Sequence, residues 1–140
     1  MSEVKSWLTE NKLQLNDGKT EAMLITFRPA STAYSVPTWL HVGLSDIKFA
    51  SQVKNLGVSI DCYLTLHQHV TNACASACVE LCHIASIRQY LSCKCNVTKM
   101  LISAFVFSKL EYCNSLLAEA SKNLIDKVQR VQNAATRLVV

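Results

Sequence analysis

The sequence predicts an α+β fold, with a short N-terminal helix and a small antiparallel sheet followed by a three-helix unit. Up to Asp61, short runs of strand-forming residues alternate with turn residues. Beyond Asp61 the chain has no glycine or proline, and its apolar residues recur at the three- and four-residue spacings of helices. Half of the 140 residues are apolar, which suffices for a buried core. We therefore divide the chain into residues 1–61 and residues 62–140.

The first segment opens with a helix and continues into a strand. Residues 3–11 have a helix-forming composition, and Ser2 is the expected N-cap. The sequence Asn16-Asp17-Gly18 is typical of a tight turn. After it, residues 22–28 are rich in strand formers, and Pro29 ends the run. This pattern predicts a first strand over residues 22–28.

The rest of the first segment predicts further strands. Residues 40–42 and 47–49 are expected to form a small hairpin around a turn near Gly43. Residues 53–60 form another strand pattern, in which Gly57 suggests a bulge or a close approach of the backbone to a ligand. Of these two readings, the bulge is the expected one. Together the strands predict one small antiparallel sheet.

Three helices are expected in the second segment. The first carries one apolar stripe, formed by Val70, Cys74, Ala77, Leu81, Ile84 and Leu91. The second runs from Val97 to about Leu117, with Asn96 as its N-cap. Ser121 opens the third helix. Its apolar residues alternate spacings of four and three, as in a helix packed against partners, and are Leu124, Val128, Val131, Ala135 and Leu138.

The net charge of +4 is unevenly distributed along the chain. Residues 1–61 hold six basic and six acidic side chains, whereas residues 62–140 hold eight basic and four acidic ones. In the third helix, Lys127, Arg130 and Arg137 lie on the side away from the apolar stripe. A basic segment beside a neutral one indicates an anionic partner, most often a nucleic acid.

The seven cysteines allow two readings, a metal site or packing in the core. Cys74, Cys78 and Cys82 stand four residues apart, which places three thiols on consecutive turns of one helix. That arrangement is a poor chelate, because structural zinc usually takes closely spaced pairs of ligands from loops. Free cysteine also behaves as a small buried hydrophobe. We therefore expect core packing and no metal site.

The N-terminus and the apolar runs predict the compartment. Glu3 and Lys5 stand where a secretory signal would need an apolar run. The longest unbroken apolar stretches, residues 23–25 and 104–107, are much shorter than a membrane span. We therefore expect an intracellular chain, in the cytoplasm or the nucleus, with reduced thiols and no membrane partner.

Five strings of residues are informative in combination. In the first segment they are Trp7 with Asn11-Lys12-Leu13-Gln14-Leu15-Asn16, then Lys19-Thr20-Glu21, then Val53-Lys54-Asn55-Leu56-Gly57-Val58. In the second they are Ser108-Lys109-Leu110-Glu111-Tyr112-Cys113-Asn114 and Val128-Gln129-Arg130-Val131-Gln132-Asn133-Ala134-Ala135-Thr136-Arg137-Leu138. In this order and spacing they resemble the end of the palm and the thumb of LINE-type (non-LTR, jockey-like) retrotransposon reverse transcriptases. The resemblance covers essentially the whole chain.

The resemblance implies roles for particular residues. Lys19 matches a lysine that lies near the leaving pyrophosphate, which makes it a candidate catalytic proton donor. Leu56 and Gly57 match the hairpin that holds the primer end. The cations of the third helix would contact the primer–template, either an RNA–DNA hybrid or a DNA duplex. On this basis the second segment is thumb-like.

The resemblance also implies what the chain lacks. Polymerases of this family hold two metal ions with paired aspartates, and the family pattern places the Tyr-x-Asp-Asp pair before Met1. The sequence contains no adjacent pair of aspartates, so we assign no metal ligand and no cofactor here, although the intact parent enzyme would use Mg²⁺. We expect a fragment that grips nucleic acid, is inactive alone and needs an upstream palm. The alternative is a degenerate or domesticated helical interaction module without enzymatic function.

Overall fold

The chain is represented by a computed structural model that describes residues 2–14, 16–25, 38–42, 45–91, 94–118 and 120–139. The side chains of Ser2, Asp17, Val42, Ser45 and Lys94 fall outside this description. Contacts divide the chain into two units. The N-terminal unit comprises Met1–Asn55 and Ile60–Leu64, and the helical unit comprises Leu56–Ser59 and Thr65–Val140. Helices and antiparallel strands are both present, which confirms the α+β class.

The N-terminal unit begins with helix α1, Ser2–Glu10. Ser2 was expected to cap this helix from outside but already belongs to it, so that prediction is wrong by one residue. The helix end is closed by local bonds, in which the Asn11 backbone and side-chain nitrogens both donate to the Trp7 carbonyl oxygen. The predicted turn at residues 16–18 appears as a single 3₁₀ turn, Asp17–Lys19.

The strand expected over residues 22–28 does not form in its described part. Ala22 makes only an isolated parallel bridge to Phe49, and residues 23–25 have no regular structure. Residues 26–28 lie outside the described part of the chain. Strand propensity reflects packing on a sheet face, and the side chains of Leu24 and Ile25 are exposed rather than packed. For residues 22–25 the prediction was therefore wrong, because it took composition as sufficient and these residues join no strand in the described part of the chain.

Among the described residues there are two separate two-stranded sheets, where a single sheet was expected. Strands β1 (Trp39–Val42) and β2 (Ser45–Lys48) pair antiparallel, with Trp39 opposite Lys48 and Val42 opposite Ser45. This pairing confirms the hairpin predicted over residues 40–42 and 47–49. The Lys48 ammonium lies 5.9 Å from the centroid of the Trp39 ring, a cation–π contact across the pair.

The second sheet corrects the prediction for residues 53–60. Instead of one strand with a bulge, the chain forms strands β3 (Gln52–Asn55) and β4 (Val58–Asp61) joined by a two-residue turn. The turn residues Leu56 and Gly57 have φ angles of 47° and 87°. Positive φ at both positions is what a type I′ hairpin turn requires. Gly57 therefore marks a reversal of the chain and not a bulge.

Helix α2, His67–Arg88, carries the first core stripe of the helical unit. Five of the six residues predicted for this stripe are buried: Val70, Cys74, Ala77, Leu81 and Ile84. The sixth, Leu91, lies beyond the end of the helix and is only partly buried. These buried side chains form one cluster with those of the helices that follow.

The helix predicted from Val97 to about Leu117 starts and ends earlier than expected, and its helical type changes along its length. It consists of α3 (Lys94–Leu101), a π-helical stretch (Ile102–Phe107) and α4 (Ser108–Glu111). Asn96 therefore lies inside the helix and is not its N-cap. The helix stops at Tyr112 because Cys113 takes a left-handed φ of 56°, and a 3₁₀ turn, Asn114–Leu117, follows.

Helix α5, Lys122–Val139, completes the core of the helical unit. The carbonyl of Ser121 accepts the N–H groups of Leu124 and Ile125, so the helix opens at the residue expected. Its predicted stripe is confirmed, because Leu124, Val131 and Ala135 are buried and Val128 and Leu138 pack partly buried against the same cluster.

One helix among the described residues, α2, is long and apolar enough to cross a membrane by length and composition alone. The unbroken apolar runs of the sequence do not reveal this helix, because uncharged polar residues interrupt its apolar residues. Apart from its histidines, Glu80 and Arg88 are its only ionisable residues of the acidic and basic types. The core helix of a soluble protein passes the same test. The expectation of no membrane partner stays a prediction.

Candidate nucleic-acid interface

Two arginines stand out on the surface of α5. Arg130 and Arg137 are exposed, and they lie seven residues apart on the side of the helix away from the buried stripe. Seven residues are close to two helical turns, so the two guanidinium groups project from one face, with Cα atoms about 10 Å apart along the axis. Within the described part of the chain neither arginine forms an ion pair. Both are therefore open to an anionic ligand.

Lys127, predicted with those arginines, points elsewhere. Its ammonium lies 3.4 Å from His67 Nε2 and 3.5 Å from Thr71 Oγ1, both on α2. Because an ammonium has only donors, His67 Nε2 is the acceptor in this contact. Lys127 is partly buried and joins α5 to α2. The structure thus brings Arg130 and Arg137 together and separates Lys127 from them.

The turn between β3 and β4 forms a second feature of the helical unit. The side chain of Leu56 is 83% exposed at its tip. Below it, the Tyr112 hydroxyl donates a hydrogen bond of 2.5 Å to the Leu56 carbonyl oxygen. A Cβ atom built on Gly57 would lie 3.5 Å from Tyr112 Cε1, so the ring also packs against the turn. The two residues predicted for the primer end are therefore held by Tyr112.

Tyr112 is the functional candidate that sequence reasoning missed. It lies within one of the informative strings, but nothing local distinguishes it from other tyrosines. Its partner Leu56 is 56 residues away along the chain, and such a contact leaves no trace in spacing or composition.

Lys19, the candidate proton donor, belongs to the N-terminal unit. It ends the 3₁₀ turn, and its backbone N–H donates to the Asn16 carbonyl at 3.0 Å. The Thr20 hydroxyl donates to the same carbonyl at 3.1 Å, which closes the turn further. The Lys19 side chain is exposed and has no ionic partner among the described residues. Local hydrogen bonds hold its backbone, and its side chain is exposed to solvent.

The aspartates Asp46, Asp61 and Asp126, whose side chains the structure describes, lie on three different elements, β2, β4 and α5. In the part of the chain that the structure describes, no group of three or more His, Cys, Asp or Glu residues could hold a metal ion. Asp46 pairs with His41 across the β1–β2 hairpin, and Asp126 is an exposed residue on α5. We therefore assign no magnesium ligand among the described residues.

The cysteines follow the packing prediction only in part. Cys74 is buried, whereas Cys78, Cys82 and Cys95 are exposed, so core packing is wrong for those three. Each four-residue step turns a helix about 40° past a full turn, which carries Cys78 and then Cys82 away from the buried face. Burial raises the pKa of the Cys74 thiol, nearby Cys78 adds to the rise, and Lys127 opposes it. The raised pKa favours the protonated thiol at Cys74.

A charged network links α2 to α4. The Lys109 ammonium lies 2.7 Å from Glu80 Oε1 and 2.9 Å from Ser76 Oγ, and His83 Nδ1 is 3.6 Å from the other Glu80 oxygen. The hydrogen bond from Lys109 holds the pKa of the Glu80 carboxyl below its ordinary value, against the opposing effect of burial. This network occupies Lys109, which leaves it unavailable as a free surface cation.

No protein-family model, curated protein or solved structure matches the chain. The features of the chain that bear on its function are the arginine face of α5, the turn held by Tyr112 and the resemblance in the sequence.

Proposed function

We propose that this chain is the nucleic-acid-gripping part of a LINE-type reverse transcriptase, in which α5 contacts the backbone of the primer–template duplex. The observation that carries the proposal is the pair of unpaired, exposed arginines on one face of α5, Arg130 and Arg137. Guanidinium groups bind phosphate through two parallel hydrogen bonds, which makes arginine well suited to this contact.

The spacing of the two arginines suits a nucleic-acid backbone. Their Cα atoms are separated by about 10 Å along the helix axis. Successive phosphates of one strand rise roughly 3.4 Å along a duplex, so the pair spans about three nucleotides. Contacts of this kind fix the position of a protein on a duplex without reading its sequence. A polymerase thumb needs that property, because it must grip any template.

In this proposal the chain binds the duplex but supplies no catalytic carboxylates. The chain has no adjacent pair of aspartates, so the metal ions and the catalytic carboxylates would belong to the palm of a parent enzyme. In that parent, Lys19 would donate a proton to the outgoing pyrophosphate, and Leu56 with Gly57 would hold the primer end. The partners are therefore an RNA–DNA or DNA primer–template duplex and an upstream palm.

A non-enzymatic interaction module is the competing proposal, and one observation favours it. Several large apolar side chains of the helical unit are exposed, among them Val79, Phe105 and Ile125. Exposed apolar groups are used in protein–protein contacts when they form continuous patches. A module of this kind would bind through apolar contacts that depend little on salt.

Binding of a labelled RNA–DNA hybrid, followed by fluorescence anisotropy across a salt series, separates the two proposals. A protein that neutralises two phosphates should lose about tenfold in affinity between 50 and 200 mM salt, because bound counterions are released. We expect the full chain to bind with at least this salt dependence. Absence of binding at the lowest salt, or affinity that does not change with salt, would contradict the nucleic-acid role and leave the interaction module.

A further inference from the structure

The β3–β4 turn is connected to the helices of its own unit through one aromatic side chain. The Tyr112 hydroxyl donates to the Leu56 carbonyl oxygen, and the Tyr112 ring lies in van der Waals range of a Cβ built on Gly57. Both partners are backbone positions of the turn, so the contact does not depend on which side chain Leu56 carries. Tyr112 thus fixes the course of the backbone at the tip.

Two features of the β3–β4 turn explain why a supporting contact would stabilise it. Leu56 adopts a left-handed φ of 47°, a conformation that residues with a Cβ atom disfavour. A two-stranded hairpin is also marginally stable on its own in water. The β3–β4 sheet has only two strands, and the tip side chain is 83% exposed, so little packing holds it from outside. An external hydrogen bond at the strained residue meets that need.

Tyr112 follows a helix that is itself held in the core of its unit. It follows directly on α4, whose Leu110 is buried in the core, and whose Lys109 is bonded to Glu80 and Ser76 of α2. The left-handed Cys113 then turns the chain away. The tyrosine therefore projects from a fixed helix end rather than from a loop.

We propose that Tyr112 is a positioning residue, which locks the Leu56–Gly57 turn to the end of α4 so that the Leu56 side chain is presented to the primer end. The functional part of this inference rests on the proposed nucleic-acid role, whereas the lock itself does not. In the bound state Leu56 would contact the sugar or base of the terminal primer nucleotide, because its apolar side chain is the most outward group of the turn.

The lock is tested by amide hydrogen exchange on the full chain without nucleic acid. Tyr112→Phe keeps the ring and removes the hydroxyl, and Tyr90→Phe is the matched control, because Tyr90 is 81% exposed. One hydrogen bond contributes roughly a fivefold change in an equilibrium constant. We expect exchange at Asn55 and Val58 to become about fivefold faster in Tyr112→Phe and to stay unchanged in Tyr90→Phe. Unchanged exchange in Tyr112→Phe would overturn the lock.

The functional consequence is tested with two hybrids, one with a recessed primer end and one with blunt ends. The wild-type chain should bind the recessed hybrid more tightly, and Tyr112→Phe should lose that preference while keeping the salt dependence of binding. If the variant exchanges faster but keeps the preference, Tyr112 does not position the turn for the primer. If the wild-type chain binds neither hybrid, the proposed function fails while the exchange result still decides the lock.

Discussion

At the scale of single residues, Gly57 shows why a position in the turn is restricted to glycine. The resemblance implies that Gly57 belongs to the hairpin that holds the primer end, where a larger side chain is expected to crowd the hairpin. In the structure a Cβ atom there would sit 3.5 Å from Tyr112 Cε1, which is ordinary contact and not a clash. The restriction comes instead from the backbone, because φ is 87° and side chains with a Cβ disfavour that region.

Replacing Gly57 tests this distinction between crowding and backbone strain. Gly57→Val should lower the free energy of unfolding by about 1–2 kcal/mol, because valine is disfavoured at positive φ. Gly57→Asn should cost less, since asparagine tolerates left-handed conformations and still adds a side chain. Urea unfolding followed by circular dichroism measures both. Equal losses in the two variants would show that space, and not the backbone, limits this position.

The residues of α5 show what the sequence could and could not predict at this scale. Helical spacing predicts which side of the helix Arg130 and Arg137 face, and their exposure agrees with it. Lys127 lies at the flank of the same apolar stripe, and its long side chain reaches Thr71 and His67 instead of solvent. Spacing along one helix cannot show this, because it does not say where a neighbouring helix lies.

At the scale of elements, the π-helical stretch Ile102–Phe107 explains why the second helix was predicted only in outline. Four buried residues stand four apart: Thr98, Ile102, Val106 and Leu110. In a regular α-helix each such step drifts by about 40° around the axis. The wider π turn, with a bond from the Ser108 N–H to the Ser103 carbonyl, offsets this drift and returns Leu110 to the buried face. In the sequence, the repeated four-residue spacing of these residues is the pattern that indicates a departure from a regular α-helix.

The link between α2 and α4 predicts how the helical unit responds to acid. Because Lys109 lowers the pKa of the Glu80 carboxyl, the stabilisation is fully present above the ordinary value near 4.5 and is lost as pH falls through the lowered pKa. Glu80→Gln removes the titrating group. The wild-type chain should therefore have the higher Tm at pH 7, and the difference should close below about pH 4.5.

Thermal unfolding of the wild-type chain and Glu80→Gln from pH 7 to about pH 3 measures this difference. Glu111→Gln is the matched control, because Glu111 is an exposed carboxylate at the end of α4. That variant should differ from the wild type by a small amount throughout. A gap between wild type and Glu80→Gln that persists unchanged in acid would show that the Lys109 contact does not stabilise the charged carboxylate.

At the scale of the whole molecule, the sequence predicted the fold class and most of the helical core, because helical periodicity is local and strong. It was right for the β1–β2 hairpin. It was wrong for the described part of the strand expected over residues 22–28, where composition does not fix pairing, and for residues 53–60, where a two-residue turn was taken for a bulge. Leu24 and Ile25 have the composition of a strand but pair with no strand among the residues that the structure describes. Trp7, on α1, is exposed as well.

The nucleic-acid role is tested most directly by removing the arginine face of α5. The double variant Arg130→Gln, Arg137→Gln is compared with Lys12→Gln, Lys48→Gln, which removes the same charge from exposed lysines of the N-terminal unit. Each lost phosphate contact lowers the slope of log affinity against log salt by about one. We predict that the arginine variant loses a slope of about two for an RNA–DNA hybrid while the lysine variant keeps the wild-type slope. An unchanged slope in the arginine variant would contradict the proposed grip.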